Sequence, residues 1–472
     1  MSTSLEQELQ ANQCWKLKAN NSRPRFDEVL LRNEFLAAPE QRLQKTQGLR
    51  HLLQHCYDIV PYYRELFQRE KISRRHLRDA SILARIPILE KAAIEQHTDA
   101  LQTRQLWPGH KQAGSTQTSG TTGQPTIIQH SDYSLGMFRW LKQREYRWFR
   151  FDPRRTMLSI RPAAELPRMP DGSYIPEQTY LKLAAWPTLG GLFETGAAWA
   201  FNNTNLIGDQ VITVNQIKPA YLVTQSSNLE FLSLQKFAPD ALQHLEGVLA
   251  ISHTLTPAMR SLVENNLQIP VQQNYGLNEI GLIASRCPEG GRYHVHAEHC
   301  VVEIVKPDGS ACAPGETGKL LVTALNNPVM PLLRYDADDL AEAVEGPCSC
   351  GRTLPSFGAV QGRYRRIAYL PEGTWQRWAA IQMALYEIAA RQKSAVRKYQ
   401  AYQDQQGHFS LRIDCEEAVF AGVASEVRKA YEQAFATLQH PNLEILHTDQ
   451  FLGEGGRKFQ NFISEFTPEP DR

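Results

Sequence analysis

The sequence has no apolar run near the ~20 residues that a membrane-spanning helix needs. Its first residues, MSTSLEQELQANQ, are polar and lack the apolar core of a signal peptide, so we expect a cytoplasmic protein. Charge of one sign is not in excess either, since 51 Lys and Arg stand against 50 Asp and Glu. That balance gives no reason to expect a nucleic acid or a membrane as a partner.

Cysteine is too sparse for a disulfide scaffold, with 8 residues in a chain of 472. In a large cytoplasmic protein the thiols stay reduced, so clustered cysteines indicate a metal site or catalysis. A chain of this length exceeds one ordinary hydrophobic core, and two or three domains are expected.

The hydrophobic periodicity of the sequence changes along the chain, and these changes predict an α/β fold. Residues 27–100 have helical periodicity, although Pro61 should end or kink one helix. From about residue 115, short apolar runs alternate with helical patterns, which is typical of α/β proteins with mostly parallel strands. We predict a domain over 1–362, with a helical start, an α/β core and a β-rich region near 300–345. A small α+β domain should cover 363–472.

The most informative segment is Gly114–Pro125, with the sequence GSTQTSGTTGQP. Glycines permit unusual backbone angles, and hydroxyls and successive N–H groups in such a turn can bind an anion. It is not a Walker A loop, because the lysine and spacing of GxxxxGK are absent. The alternative is a flexible linker. The candidate phosphate-binding residues are Ser119, Gly120, Thr121, Thr122 and Gly123.

Thr118–Thr126 resembles the phosphate-binding loop of the adenylate-forming superfamily, and Thr126 after the proline resembles the phenylacetate–coenzyme A ligase branch. Residues 45–363 resemble that branch well, and the C-terminal part resembles it weakly. Five motifs in the same order are more specific than any one of them. The four further motifs are Val60–Arg64 (VPYYR), Ile86–Lys91 (IPILEK), Tyr275–Gly281 (YGLNEIG) and Met330–Asp339 (MPLLRYDADD).

The resemblance implies a large, multi-subdomain adenylate-forming domain followed by a small mobile domain. It implies that ATP activates an aryl or acyl carboxylic acid as an acyl-adenylate with release of pyrophosphate. The acyl group would then pass to the thiol of coenzyme A or of a carrier protein's phosphopantetheine. Two alternatives remain open: transfer to an amine without coenzyme A, and an accessory protein that binds nucleotide but has lost catalysis. The oligomeric state is open between a monomer and a homodimer.

The resemblance also implies the roles of individual residues. Tyr275, with Gly276 beside it, would stack on adenine, and Asp339 and Arg363 would contact the ribose. Glu279 would hold Mg²⁺, because a hard cation prefers carboxylate and phosphate oxygens. We count Glu279 as catalytic for that reason.

The chain departs from the family pattern at several places. Asn278 stands where the family has threonine, Asp338 replaces a glycine, and His253 replaces an acid. The acids that follow the family's hinge are absent after Arg363, which weakens the case for thioester formation. Gly453–Phe459 resembles the family's terminal glycine–lysine loop, which makes Lys458 the candidate catalytic lysine and Arg457 its rival. The alternative is a solvated basic turn.

A second group of residues has the composition of a zinc site. Cys287 and His294 are followed about fifty residues later by Cys348 and Cys350. Three thiolates and one imidazole suit a closed, tetrahedral Zn²⁺, and the branch has a similar cysteine–histidine pattern. His296 is the rival imidazole. The alternative is two unrelated cysteine groups.

An aromatic stretch is the candidate acid pocket. Trp186 and Phe193 would suit a flat aryl acid, with Gly190 and Gly191 allowing close approach. Ordinary core packing is the alternative for each of these residues.

Overall fold

The fold is known from a computed structural model. It describes residues 5–18, 26–118, 126–252, 255, 257–363, 396–406, 408–434, 443–452 and 462–465. Within these ranges, no helix combines the length and the apolar character that crossing a membrane requires.

Helices and strands alternate over most of the described chain, and this mixture confirms the predicted α/β class. The helices are α1 (Leu5–Asn12), α2 (Phe26–Asn33), α3 (Ala38–Ile59), α4 (Pro61–Arg69), α5 (Lys91–Gln96), α6 (Thr98–Leu101), α7 (Asp132–Trp148), α8 (Ile207–Ile217), α9 (Ser226–Ser233), α10 (Pro239–His244), α11 (Pro257–Leu267) and α12 (Glu417–Ala434). The strands are β1 (Gln112–Thr118), β2 (Thr126–Ser131), β3 (Met157–Arg161), β4 (Tyr180–Leu183), β5 (Ala198–Asn202), β6 (Tyr221–Gln225), β7 (Gly247–Ile251), β8 (Val271–Leu277), β9 (Gly281–Arg286), β10 (Tyr293–Val295), β11 (Cys300–Val305), β12 (Thr317–Ala324), β13 (Tyr335–Ala343), β14 (Ser356–Arg363), β15 (Val396–Gln403), β16 (Phe409–Cys415), β17 (Leu443–His447) and β18 (Phe462–Ser464).

The chain divides into two compact units. The first unit contains Met1–Pro153, Thr188–Thr195 and Gln273–Gly362. The second unit contains Arg154–Pro187, Gly196–Gln272 and Arg363–Arg472. Residues 1–362 thus contribute to both units, and the division into domains at residue 362 stays a prediction.

Helices α3 and α4 of the first unit follow the sequence pattern. Helix α3 ends at Ile59, and α4 begins at Pro61, because the missing N–H of proline is tolerated in the first turn of a helix. Val60 between them is extended, as residues before proline usually are. The buried residues of α3 at helical spacing include Leu49, Leu52, Leu53 and Cys56.

The strands of the first unit pair mainly in the antiparallel sense. Their order is β11-β12-β13-β14-β10-β9-β8, and the predicted β-rich region supplies β11, β12 and β13. Strands β1 and β2 form a separate antiparallel hairpin in which Thr118 pairs with Thr126. The candidate phosphate loop therefore joins the two strands of this hairpin.

The second unit contains the parallel strands that the sequence predicted. Its strand order is β7-β6-β3-β5-β4, and β3 is parallel to both β5 and β6. A four-stranded sheet, β17-β16-β15-β18, packs with α12 on Phe231 of α9. Next to Phe231, the buried Glu230 carboxylate accepts a 2.7 Å hydrogen bond from the Tyr399 hydroxyl.

Candidate functional site

The segment Met330–Asp339 leads into β13 and is held first by a tyrosine of α4. The Tyr63 hydroxyl donates to the Pro331 carbonyl at 3.0 Å and accepts from the Leu333 N–H at 3.0 Å. Tyr63 is buried, so water does not compete for these bonds. The Val60–Arg64 motif therefore braces the Met330–Asp339 motif.

The Ile86–Lys91 motif binds the same segment through its main chain. The Leu89 N–H donates to the Arg334 carbonyl at 3.1 Å, and the Leu89 carbonyl accepts from the Asp336 N–H at 3.0 Å. The buried guanidinium of Arg334 donates through Nη1 to the Ile86 carbonyl at 2.7 Å. Arg334 of the Met330–Asp339 motif thus ties its own segment to the backbone of the Ile86–Lys91 motif.

Two tyrosine–carboxylate pairs bring the Tyr275–Gly281 and Met330–Asp339 motifs together. The Tyr275 hydroxyl donates to Asp339 Oδ2 at 2.7 Å. The Tyr335 hydroxyl donates to Glu279 Oε1 at 3.0 Å. All four side chains are buried, so the two carboxylates are oriented before any ligand arrives.

The backbone around these pairs explains two residues of the motifs. A Cβ at Gly276 would lie 2.6 Å from the Gly281 carbonyl oxygen, so the tight connection between β8 and β9 requires glycine. Asp338 has φ 62°, in the left-handed region where the family has glycine. Aspartate tolerates this region better than most residues, and the Asp338 N–H donates to Asp336 Oδ1 at 2.9 Å. The left-handed conformation at Asp338 is one that glycine also adopts readily.

Four candidate metal ligands form one buried cluster. The ligand atoms of Cys287, His294, Cys348 and Cys350 all lie within 4.8 Å of one another. The Cys287 and Cys348 sulfurs are 3.9 Å apart, and Cys350 Sγ lies 3.3 Å from His294 Nε2. This donor set and spacing fit a tetrahedral Zn²⁺.

The neighbours of the cluster orient its ligands. His294 Nδ1 lies 3.4 Å from the Leu354 carbonyl, which leaves Nε2 facing the thiols. The Gly290 and Arg352 N–H groups donate to the sulfurs of Cys287 and Cys350 at 3.2 and 3.4 Å.

Interactions within the cluster shift the pKa values of His294 and Cys350 in opposite directions. Burial lowers the pKa of His294, but hydrogen bonds and charge from Cys348 and Cys350 outweigh burial and raise it to about 9. The hydrogen bond with Cys287 lowers the pKa of Cys350 to about 2. The rival imidazole, His296, is outside the cluster, and its Nε2 lies 3.2 Å from Ser285 Oγ.

Known proteins with similar sequences are acid–coenzyme A ligases. No family model matches the chain. It is 25% identical over 425 residues to the phenylacetate–coenzyme A ligase of Thermus thermophilus, covering 85% of this chain and 86% of that protein. It is 26% identical over 340 residues to the phenylacetate–coenzyme A ligase of Escherichia coli K12, covering 70% and 72% of the two chains.

The fold is shared with solved ligase structures. The structure of 2-hydroxyisobutyryl-CoA ligase in the postadenylation state, in complex with 2-HIB-AMP, has a TM-score of 0.69 at 14% identity and covers 96% of both chains. The same ligase with 2-HIB-AMP and CoA in its thioesterification state has a TM-score of 0.57 at 16% identity and covers 95% of both. The chain is phenylacetate–coenzyme A ligase-like in sequence and has the adenylate-forming fold. The relationship predicted from the five motifs is thus confirmed.

Several expected site residues of this ligase-like chain lie outside the described residues. The main chain of Arg363 ends β14, and its side chain is not described. The others outside the described ranges are Ser119, Gly120, Thr121, Thr122, Gly123, His253, Arg457 and Lys458.

A buried ionic network that was not predicted from the sequence lies beside the metal cluster. Arg352, two residues after Cys350, bonds Glu8 at 2.6 Å and Glu34 at 3.1 Å. Arg147 of α7 forms ion pairs with the same two glutamates. All four charged side chains are buried. The network joins α1, the end of α2 and α7 to the Cys348–Cys350 turn.

A second arm of the network starts from Arg144, also on α7. Its Nη2 lies 2.8 Å from Glu298 Oε1 and its Nε lies 3.2 Å from Glu34 Oε1. Burial lowers the pKa of Arg144, but the charges of Glu298 and Glu34 outweigh burial and raise it. Helix α7 gives the only hint of the network in the local sequence, because its second half has charged residues on several sides of the helix. The structure buries these charged side chains.

The aromatic residues predicted for the acid pocket are enclosed in cores. Trp186, in the second unit, donates from Nε1 to the Arg155 carbonyl at 3.0 Å. Phe193, in the first unit, packs edge-on against Trp15 and Trp140. Both side chains are thus buried by neighbouring residues.

The same stretch contains Gly190 and Gly191. A Cβ at Gly191 would meet no described atom within 4 Å, so no close approach requires glycine there. Gly190 is half-buried beside it. The assignment of this stretch to the acid pocket stays a prediction.

Proposed function

We propose that the chain joins a carboxylic acid to the thiol of coenzyme A in two steps. The carboxylate attacks the α-phosphorus of ATP, which forms an acyl-adenylate and releases pyrophosphate. The thiol, after losing its proton, then attacks the acyl carbon, which forms the thioester and releases AMP. The relatives are named as ligases that join phenylacetate to coenzyme A, and one structural neighbour holds an acyl-adenylate with CoA.

The observation that carries this proposal is the convergence of the motifs on two oriented carboxylates. In the proposal, Tyr275 stacks on adenine and Asp339 accepts from the ribose hydroxyls. Their mutual 2.7 Å bond would fix both groups in advance of ATP binding. Gly276 lets the backbone approach closely at this point.

Magnesium is the proposed partner of Glu279. Adenylate formation brings two anions together, so the reaction needs a cation where the negative charge converges. The hydrogen bond from the Tyr335 hydroxyl fixes the direction of the Glu279 carboxylate. The predicted phosphate loop, Ser119–Gly123, would hold the β- and γ-phosphates.

A structural Zn²⁺ is the proposed occupant of the cysteine–histidine cluster. Its four donors come from the β9–β10 connection, β10 and the Cys348–Cys350 turn, so a metal would tie these segments together. Cysteine ligands of a metal need reduced thiols, which fits a reducing compartment, and we place the protein in the cytoplasm.

The C-terminal domain is proposed to supply the lysine of the first step. Residues 363–472 would carry Lys458 toward the α-phosphate, with Arg363 near the ribose, and would then move to admit the thiol. Four strands of this region form one sheet, β17-β16-β15-β18, whose core is shared with Phe231 of α9.

The acceptor is the point on which alternatives differ. A carrier protein's phosphopantetheine presents the same thiol as coenzyme A. The missing hinge acids after Arg363 favour the alternative in which an amine attacks the adenylate. A catalytically degenerate accessory protein is the third reading, against which the oriented Glu279 and Asp339 argue.

One experiment separates these readings. Purified protein is tested for acid-dependent exchange of labelled pyrophosphate into ATP with a panel of aryl and fatty acids. We expect exchange with at least one acid, followed by AMP release only when coenzyme A is added. Release with a carrier protein or an amine instead would identify a different acceptor, and no exchange with any acid would refute the proposed activity.

A further inference from the structure

The turn that carries Glu279 is held on both sides by side chains from other elements. The Asn278 carbonyl accepts a 2.8 Å hydrogen bond from the Thr116 hydroxyl of β1. The Ile280 carbonyl lies 2.8 Å from His299 Nε2. The carbonyl groups of both residues that flank Glu279 are therefore held by side chains.

The hydrogen bonds of Thr116 show which ring nitrogen of His130 has a proton. The hydroxyl of Thr116 has one proton, and that proton goes to the Asn278 carbonyl, which can only accept. In the 2.8 Å hydrogen bond between Thr116 Oγ1 and His130 Nε2, the histidine ring must therefore be the donor and the hydroxyl oxygen the acceptor. By the same reasoning, His299 donates from Nε2 to the Ile280 carbonyl.

The surroundings of both rings favour this neutral form. Burial is the main cause that lowers the pKa of His130 to about 4. Burial also lowers the pKa of His299. Each ring then has one proton, located on Nε2. His299 Nδ1 has no hydrogen-bond partner among the described residues, as an unprotonated ring nitrogen allows.

The register of the β1–β2 hairpin places the His130 side chain beside that of Thr116. His130 lies opposite Gly114, and Thr116 lies opposite Ile128, so the two side chains are diagonal neighbours on one face. The same two strands are joined by the predicted phosphate loop, Ser119–Gly123. The chain from His130 through Thr116 therefore links the base of that hairpin to the Glu279 turn.

We propose that His130 and His299 are positioning residues that clamp the Asn278–Ile280 turn, and so hold Glu279 in place. Neither histidine needs to touch substrate. This inference rests on the proposed function, because Glu279 is the residue whose position matters in adenylation.

The geometry is tested first without reference to activity. In protein labelled with ¹⁵N-histidine, the ring nitrogens of His130 and His299 should show the neutral Nε2–H tautomer at pH 7. The His130→Gln and His299→Gln variants assign the signals. A charged ring or the Nδ1–H tautomer at His130 would overturn the proposal, whatever the activity.

Kinetics test the consequence. The His130→Leu and Thr116→Val variants should each lower kcat for pyrophosphate exchange by about ten- to hundredfold, because misplacing a reacting group by about 1 Å has effects on that order. The double variant should lose little more than either single one, since one chain of bonds is broken. His130→Gln and Thr116→Ser keep the donor and the hydroxyl, so they should recover most of the rate.

The outcomes separate this proposal from the proposed function. Variants His130→Leu and Thr116→Val that match an active parent would overturn the clamp. Loss of rate in both His130→Leu and His130→Gln would also overturn it, because a general loss of packing would then be the cause. A parent protein that shows no exchange with any acid would instead refute the adenylation reaction itself, and the clamp's role in it.

Discussion

The Tyr275 hydroxyl donates a 2.7 Å hydrogen bond to Asp339 across 64 positions of the sequence. Each residue belongs to a motif that was recognised separately, and the bond joins the proposed adenine-stacking ring to the proposed ribose ligand. Because both side chains are buried, the bond is formed with a charged acceptor in a medium of low dielectric constant.

Replacing Tyr275 with phenylalanine tests this bond. The Tyr275→Phe variant keeps the ring and loses the donor to Asp339. A hydrogen bond to a charged group contributes about 1.5–3 kcal/mol, so we expect KM for ATP to rise about tenfold or more. We expect kcat in pyrophosphate exchange to change little, since the bond positions the nucleotide and not the reacting atoms.

Tyr293→Phe is the matched control. Tyr293 stacks on Phe357, whereas Tyr275 meets the same Phe357 ring edge-on. The control therefore removes a hydroxyl from the other tyrosine that packs on this ring, and KM for ATP should stay near the parent value. Equal increases in KM for the two variants would contradict the role given to the Tyr275–Asp339 bond.

The Glu279→Gln variant tests the proposed magnesium ligand. It keeps the shape of the side chain and an oxygen for Tyr335, but it loses the negative charge. We expect pyrophosphate exchange to fall at least about tenfold, with partial recovery in excess Mg²⁺. Tyr335→Phe should have a smaller effect, because it leaves the charge in place. Full activity of Glu279→Gln at limiting Mg²⁺ would show that the assignment is wrong.

Much of the fold and part of the site could be predicted from the sequence. Pro61 marks the break between α3 and α4, because proline fixes the local backbone whatever surrounds it. The Cys348–Cys350 pair and Cys287 could be grouped with His294 from their chemistry together with the similar pattern of the resembled branch, and the structure brings the four side chains together.

The ionic network could not be predicted in the same way. Glu8, Glu34, Arg147 and Arg352 are spread over most of the sequence, and each looks like an ordinary surface charge in its own segment. Sequence patterns assume that charged side chains face water. Pairing in the interior overrides that pattern, and only tertiary contacts show which charges are paired.

The zinc prediction is checked by elemental analysis of the purified protein. We expect about one equivalent of zinc, on the basis of a Cys₃His donor set. Cys348→Ser should lose the metal and unfold at a lower temperature, because metal-binding energy is also folding energy. Chelation of the parent protein should lower its unfolding temperature in the same way.

Two further variants separate metal binding from packing in this cluster. A Cβ at Gly290 would lie 2.1 Å from Cys348 Sγ, so Gly290→Ala should also lose zinc although it keeps every ligand. Cys300→Ser changes a buried cysteine outside the cluster and should retain the metal. A metal-free parent whose stability equals that of Cys348→Ser would refute the zinc site.

The Lys458→Ala variant tests the proposed role of the C-terminal domain. We expect it to abolish adenylate formation and to leave ATP binding nearly unchanged, because the lysine would act where negative charge converges in the transition state. It should also spare attack by a thiol on a preformed acyl-adenylate. Arg457→Ala is the neighbouring control, and an inactive Arg457→Ala beside an active Lys458→Ala would make Arg457 the catalytic residue.

The ionic network offers a comparison of two arginines on one carboxylate. Arg352 and Arg150 both bond Glu8 Oε1, at 2.6 and 2.9 Å. The Arg352 side chain is 1% exposed and also bonds Glu34 at 3.1 Å, whereas the Arg150 side chain is 47% exposed. The Glu8 carboxylate is thus paired with a buried arginine, Arg352, and with a half-exposed one, Arg150.

Arg352→Met should therefore be far more damaging than Arg150→Met. Removing the buried arginine leaves Glu8 and Glu34 undercompensated, which costs about 3–5 kcal/mol, whereas a pair with a half-exposed arginine contributes about 1 kcal/mol or less. The measurement is the free energy of unfolding from urea titrations of both variants. Arg352→Met keeps the N–H that donates to Cys350, so its folded form should retain zinc. Equal losses of stability in the two variants would contradict the network's importance, and loss of zinc with the stability would show that Arg352 acts through the metal cluster instead.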